Sequence, residues 1–393
     1  MRDIPYYWRL SGFYFFYFAL LGTLVPYWAL YLQESGFSAP EIGLLMALPQ
    51  VTKLFAPVMW GWLADRTGRR LHIIRLGNFC AALVFAYVFY ADHFWSMAAA
   101  LITFSFFWNA VLAQFEALTL ESLGELSSRY GHVRLWGSVG FVLTVCVIGY
   151  LLDFVSIMLV PWAMLVTLWL IWLSTLLLPD HSCVTREGAV NGAGGLWRLV
   201  CQPPVLVFFL CSFLMQLSHG PYYTFFTIYL DQLGIARVWT GALWSLGVVA
   251  EIALFMVMHR LLGRFSLRNI IVGSLFLAAL RWLLIAYFAQ QWPVLLFAQL
   301  LHAATFGAFH AASIAWVHKN FRHGHSGQGQ ALYSSVGFGA GWALGAVLAG
   351  LLWNQLGPIT FLWAATVALL AMIVAFKWLP KNDLVSDEFR ATL

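Results

Sequence analysis

Lys53 and Glu251 carry opposite charges, and each stands alone in a long apolar run. They lie 198 positions apart, at corresponding places in the two halves of the chain. A charge at the centre of a bilayer costs at least a few kcal/mol, so it persists where it faces a partner or a water-filled cavity. Two such residues in a duplicated chain point to one central, membrane-embedded site. Arg281, His302 and His219 join them in the second half. At 1.5 Å of helix rise per residue, Lys53 is roughly 18 Å from Asp65 and Glu251 roughly 13 Å from Arg260. Arg281 is likewise roughly 20 Å from Arg268, and His302 roughly 15 Å from Trp292. His219 is similarly central in its apolar run, so all five fall near one depth. Such groups can exchange protons and recognise anions. The alternative is a set of interhelical ion pairs that only lock helices together.

Glu116 and Arg134 form a second pair across a hairpin. Arg134 precedes Asp153 by roughly 28 Å of helix, which places it near the opposite end of its span. Depth alone leaves two readings for the pair, a binding site or an anchor at the helix end. If both groups contribute, Lys53, Arg134 and Arg281 face two acids, Glu116 and Glu251. An excess of fixed positive charge favours an anionic solute or a carboxylate. No Ser/His/Asp set, metal-ligand cluster or phosphate loop occurs, so neither an enzyme nor a cofactor is expected.

The elements that must position these residues follow from composition. Of 393 residues, 62% are hydrophobic and only 9% charged, against roughly 25% charged in soluble domains. A soluble fold is excluded. The first apolar run, from Gly12 to Leu32, is too long for a signal-peptide core and reads as a span. The five cysteines have no metal or redox spacing and read as packing residues. At about 20 apolar residues per helix, spans are expected near 8–32, 39–62, 71–91, 94–119, 133–152, 157–178, 205–230, 239–260, 269–289, 292–317, 329–353 and 358–378. The predicted class is all-α, twelve transmembrane helices in two six-helix halves. Those halves are 1–178 and 205–380, with a central loop over 179–204 and a tail over 381–393. Lys and Arg crowd alternate connections, whereas the intervening ones hold Glu34, Asp92, Asp153 and Asp231 with Arg237 as the single basic residue. By the positive-inside rule both termini are cytoplasmic. The basic residues are topology signals, and no nucleic-acid partner is expected.

The halves repeat in parallel. Tyr31-Leu32-Gln33-Glu34-Ser35-Gly36 answers Tyr229-Leu230-Asp231-Gln232-Leu233-Gly234, and Ser138-Val139-Gly140-Phe141 returns as Ser335-Val336-Gly337-Phe338. Gly61-Trp62-Leu63-Ala64-Asp65-Arg66-Thr67-Gly68-Arg69-Arg70 resembles the major facilitator signature G-x-L-[AS]-D-[RK]-x-G-[RK]-[RK]. In it Gly61 allows close helix contact, Asp65 accepts charge-assisted bonds and Gly68 permits a tight turn, while Arg66 and Arg69 supply cations. These residues are expected to form a gate. The segment Phe115-Glu116-Ala117 and the run Tyr130-Gly131-His132-Val133-Arg134-Leu135-Trp136-Gly137-Ser138 resemble the lactose permease branch. Leu243-Trp244-Ser245-Leu246-Gly247-Val248-Val249-Ala250-Glu251 is more similar to the 3-phenylpropionate transporters of that branch.

The resemblance spans essentially the whole chain. It implies that Glu116 and Arg134 hold the substrate, with Phe141 at the place of a stacking Trp, and that Glu251, Arg281 and His302 join binding to proton transfer. Four departures stand out. Thr305 replaces a protonated Glu, Gln299 a Lys, and His219 an Asp, while Lys53 has no basic counterpart in lactose permease. The expected protein is thus a monomeric secondary transporter of a bacterial-type inner membrane. It would carry an organic carboxylate, aromatic acids included, with protons, ahead of a sugar, a nucleoside or efflux of amphiphilic drugs. Its expected partners are that solute, protons and the bilayer.

Overall fold

The computed structural model describes residues 6–178, 193–321 and 325–381. Most of the expected central loop and tail, residues 179–192 and 382–393, lies outside the described residues. Among the described residues the chain is helical and has no strand. Eleven segments are long and apolar enough to cross a bilayer. We number them α1 (Tyr7–Glu34), α2 (Ala39–Thr67), α3 (Arg70–Tyr90), α4 (Phe94–Ser127), α5 (Tyr130–Leu152) and α6 (Leu159–Leu176). There follow α7 (Pro203–Gln232), α8 (Arg237–Arg264), α9 (Leu267–Phe288) and α10 (Trp292–Asn320). The last segment, Gly327–Trp378, is 52 residues long and is interrupted at Gly357, whose φ is 53°. Its arms are α11 (residues 327–356) and α12 (Thr360–Trp378). Large apolar side chains such as Trp95, Trp162 and Met256 are exposed, as lipid-facing side chains are on helices that satisfy their own backbone groups.

Contacts divide the chain into two compact units. The first is Met1–Glu187 with Phe226–Ser245, and the second is Gly188–Phe225 with Leu246–Leu393. In the first, α1 packs along α5 and α6, while α3 packs on α4 and α6, and α2 on α4. The α1–α5 crossing is close because it is lined by glycine. A methyl built on Gly140 would collide with the Phe15 carbonyl oxygen. In the second unit α12 packs on α7 and α9, and α7 on α11. The glycine-lined crossing recurs there, with the Gly345 methyl position 2.7 Å from the Leu217 carbonyl oxygen. Small residues let helices approach where lipid supplies no hydrophobic drive.

The first unit takes in the end of α7 and the start of α8 through the acids of the non-basic connections. The Arg237 guanidinium donates to Asp231 at 3.0 Å and also reaches Glu34. Asp153, at the end of α5, accepts the backbone N–H groups of Arg237 at 2.7 Å and Val238 at 3.1 Å. A carboxylate at a helix start satisfies donors that have no partner within the helix.

Several helices expected to be continuous are broken, each for a local reason. In α2 the helix stops at Thr52 and resumes at Ala56. Pro57 has no N–H and its ring collides with the preceding turn. In α4 it stops at Trp108 and resumes at Val111. In α7 it breaks at His219, just before Gly220 and Pro221. In α10 a π-helical stretch, Ala303–Ala308, follows His302; such insertions occur frequently at functional sites.

Candidate functional site

In the second unit a buried polar chain is assembled from α7, α8, α9 and α10. Arg281, midway along α9, is wholly buried. Its Nη1 donates to His302 Nδ1 at 3.1 Å and to Thr305 Oγ1 at 3.3 Å, and its Nη2 to Gln299 Oε1 at 3.2 Å. Its guanidinium also lies over the Tyr222 ring, 4.1 Å from the centroid. The Tyr222 hydroxyl donates to the same Gln299 oxygen at 2.9 Å. On the far side of the imidazole, His302 Nε2 lies 3.6 Å from Glu251 Oε2. Glycines admit this approach. A methyl on Gly247 would sit 3.3 Å from the His302 ring, and one on Gly307 3.0 Å from Glu251 Cγ.

The order of these contacts fixes protons. A guanidinium only donates, so His302 Nδ1 must accept and the proton of the neutral ring is on Nε2, pointing at Glu251. A second proton on His302 would set N–H against N–H beside a cation. Glu251 is the more exposed of the two, with 17% of its side chain exposed against 9% for His302. The expected set Glu251, Arg281 and His302 is brought together here.

His219 stands apart. Its Nδ1 donates to the Met215 carbonyl oxygen at 2.8 Å, and its ring packs edge-on against Trp282. No hydrogen bond links it to the Arg281 chain among the described residues. His310 pairs with the Tyr333 hydroxyl at 3.1 Å, and the Phe306 ring lies stacked between it and His302. A hydrocarbon ring carries no hydrogen-bonded path.

In the first unit Lys53 sits at the break in α2 and is half-buried. The break is stitched to α4. Asn109 Nδ2 donates to the Pro49 carbonyl oxygen and to Thr52 Oγ1, both at 2.8 Å, and Thr52 bonds Ser105 at 3.0 Å. Glu116 accepts from the Tyr130 hydroxyl at 3.3 Å. Arg134 lies over the Phe18 ring at 3.8 Å and more distantly over Tyr14 at 5.6 Å. Among the described residues no ion pair joins Glu116 directly to Arg134. Phe141 is half-buried, its backbone against Gly22 in the α1–α5 crossing.

The loop signature forms a small cluster at the end of α2. Gly68 ends the helix in the left-handed region at φ 64°, its N–H bonded to the Ala64 carbonyl oxygen at 2.9 Å. Asp65 meets Arg70 at 3.3 Å, and Arg70 also reaches Glu121 on α4. Arg66 lies over Trp62 at 5.2 Å, and Gly61 faces Gln114, whose Nε2 would be 3.3 Å from an added methyl. Arg69 is exposed. Sequence reasoning did not identify the Asn109 stitch or the two-way acceptance by Gln299. Pro49 and Pro57 mark only the α2 side of the first, and the second depends on three helices meeting.

Comparison with known proteins agrees with this architecture. The MFS_1 like family is matched over residues 7–364. The chain is 30% identical over 378 residues to the probable 3-phenylpropionic acid transporter of Escherichia coli (strain K12), covering 95% of this chain and 98% of that one. It is 25% identical over 340 residues to the maltose permease of Geobacillus stearothermophilus, covering 84% and 83% respectively. Among solved structures, a mutant form of the nucleoside transporter NupG superposes with a TM-score of 0.87 at 18% identity. That match covers 95% of this chain and 100% of the other. These relatives are transporters, not enzymes. The chain belongs to the MFS_1 like family and is a multi-pass membrane transporter of small solutes, with the major facilitator fold.

Proposed function

We propose that this transporter carries a small organic carboxylate together with a proton by alternating access, in a bacterial-type inner membrane, as a monomer with both termini cytoplasmic. One observation carries the reading. Arg281 is a wholly buried cation whose contacts among the described residues are neutral, with the Glu251 carboxylate across His302. A buried charge without a contacting counter-charge is costly, and an anion brought to the Nε2–H side of His302 lowers that cost. A solute carboxylate there competes with ionised Glu251. Two anions at one N–H repel, so solute binding favours protonated Glu251. Release of one frees the other, which is the linkage that symport needs. Lys53, Glu116, Arg134 and Phe141 are the solute-binding residues of the first unit in this reading, and the Asp65 cluster acts as a gate.

The relatives' names support a carboxylate through the 3-phenylpropionic acid transporter. The maltose permease and the nucleoside transporter favour a second reading, a neutral sugar or nucleoside. A thermal-stability screen of the purified protein separates the two, because a ligand that binds the folded state raises its apparent stability. The carboxylate reading expects 3-phenylpropionate to raise Tm and maltose and adenosine to leave it unchanged. Stabilisation by adenosine or maltose alone overturns it.

A further inference from the structure

We infer that Gln299 sets the charge selectivity of the site, by holding Arg281 in place through an amide that leaves its positive charge uncompensated. The inference rests on the carboxylate reading and names the residue that makes it specific. Gln299 is wholly buried, and its Oε1 accepts from both Arg281 Nη2 at 3.2 Å and the Tyr222 hydroxyl at 2.9 Å. A glutamate would have nearly the same shape and would accept the same two bonds more strongly, since charge-assisted bonds are roughly twice as strong as neutral ones. For stability alone, a carboxylate is the better partner for a buried guanidinium.

Every other contact of the guanidinium among the described residues is neutral as well: the His302 ring nitrogen, the Thr305 hydroxyl and the Tyr222 and Trp282 rings. Together they orient the cation without cancelling it. The orientation matters because Nη1 is the group that keeps His302 Nδ1 an acceptor, and so keeps the Nε2 proton pointing at Glu251. Gln299 therefore acts as a positioning residue, through Arg281 and His302. Its own amide nitrogen has no partner among the described residues, as expected when the side chain is retained for its neutral oxygen.

Gln299→Glu adds one negative charge beside Arg281 without changing shape. The variant is expected to be more heat-stable than wild type and a poorer binder of anions. Binding of 3-phenylpropionate and of its uncharged isostere 3-phenylpropionamide would be measured on both purified proteins by titration calorimetry. Wild type should prefer the carboxylate by about tenfold or more, and in Gln299→Glu that preference should collapse to near unity while amide binding changes little. A role in packing alone would weaken both probes together. An unchanged carboxylate preference in Gln299→Glu overturns the inference and leaves the carboxylate reading standing. A wild type that binds only the amide, or neither probe while binding a nucleoside or sugar, overturns that reading and the inference with it. Should Gln299→Glu not fold, Gln299→Met, which removes the acceptor that holds Arg281 and adds no charge, should reduce the carboxylate preference while amide binding changes little, and an unchanged preference there also overturns the inference.

Discussion

At the scale of single residues, the ionisable groups legible in the sequence divide by what they touch. Arg281, His302 and Glu251 form one continuous chain, whereas His219, at the corresponding depth, is absorbed by a backbone carbonyl and two aromatic rings. Residue type and depth did not separate these two fates, because the difference depends on which helix faces which. Arg134 is held differently again, flat against Phe18. A guanidinium can stack on a ring and still present a fork of donors to a carboxylate, and an ammonium cannot. Arg134→Lys is therefore expected to weaken 3-phenylpropionate binding by about tenfold or more although the charge is kept. Calorimetric titration checks this. Wild-type affinity in the Lys variant would make Arg134 a helix-end anchor outside the site.

At the scale of elements, apolar run lengths and the repeated segments made the helical class readable, because a bilayer leaves the backbone few other solutions. The interruptions were less readable. Pro57 and the Gly220-Pro221 pair mark two of them in the sequence, but the break in α4 has no proline and is held by Asn109 bonding across to α2. A break of that kind belongs to two helices at once and cannot be read from either alone. Asn109 supplies donors to the Pro49 carbonyl and the Thr52 hydroxyl, all buried. Asn109→Leu should destabilise the protein by about 1–3 kcal/mol, the cost of leaving buried polar groups unsatisfied. Thermal unfolding in detergent measures it. No loss of stability would mean that the broken ends are satisfied without the stitch.

At the scale of the whole molecule, duplication gave the chain two versions of one helix arrangement, with glycine-lined crossings of α1 on α5 and α7 on α11. The versions have diverged in chemistry. The acid-bearing loop cluster is in the first unit, built on Asp65, Arg70 and Glu121, and the guanidinium–imidazole–carboxylate chain is in the second. Proton and solute are linked, in the proposed mechanism, because one buried cation balances one anion at a time. The most direct measurement compares wild type and Glu251→Gln in proteoliposomes given labelled 3-phenylpropionate from outside, empty for gradient-driven entry and preloaded with the unlabelled acid for exchange. Gradient-driven entry and exchange at equal pH are read as initial rates above those of protein-free liposomes, which remove passive entry of the uncharged acid. With an alkaline interior, wild type should show carrier-dependent uptake, and Glu251→Gln should lose it while keeping exchange near the wild-type rate. Equal gradient-driven uptake by both proteins would contradict proton carriage by Glu251.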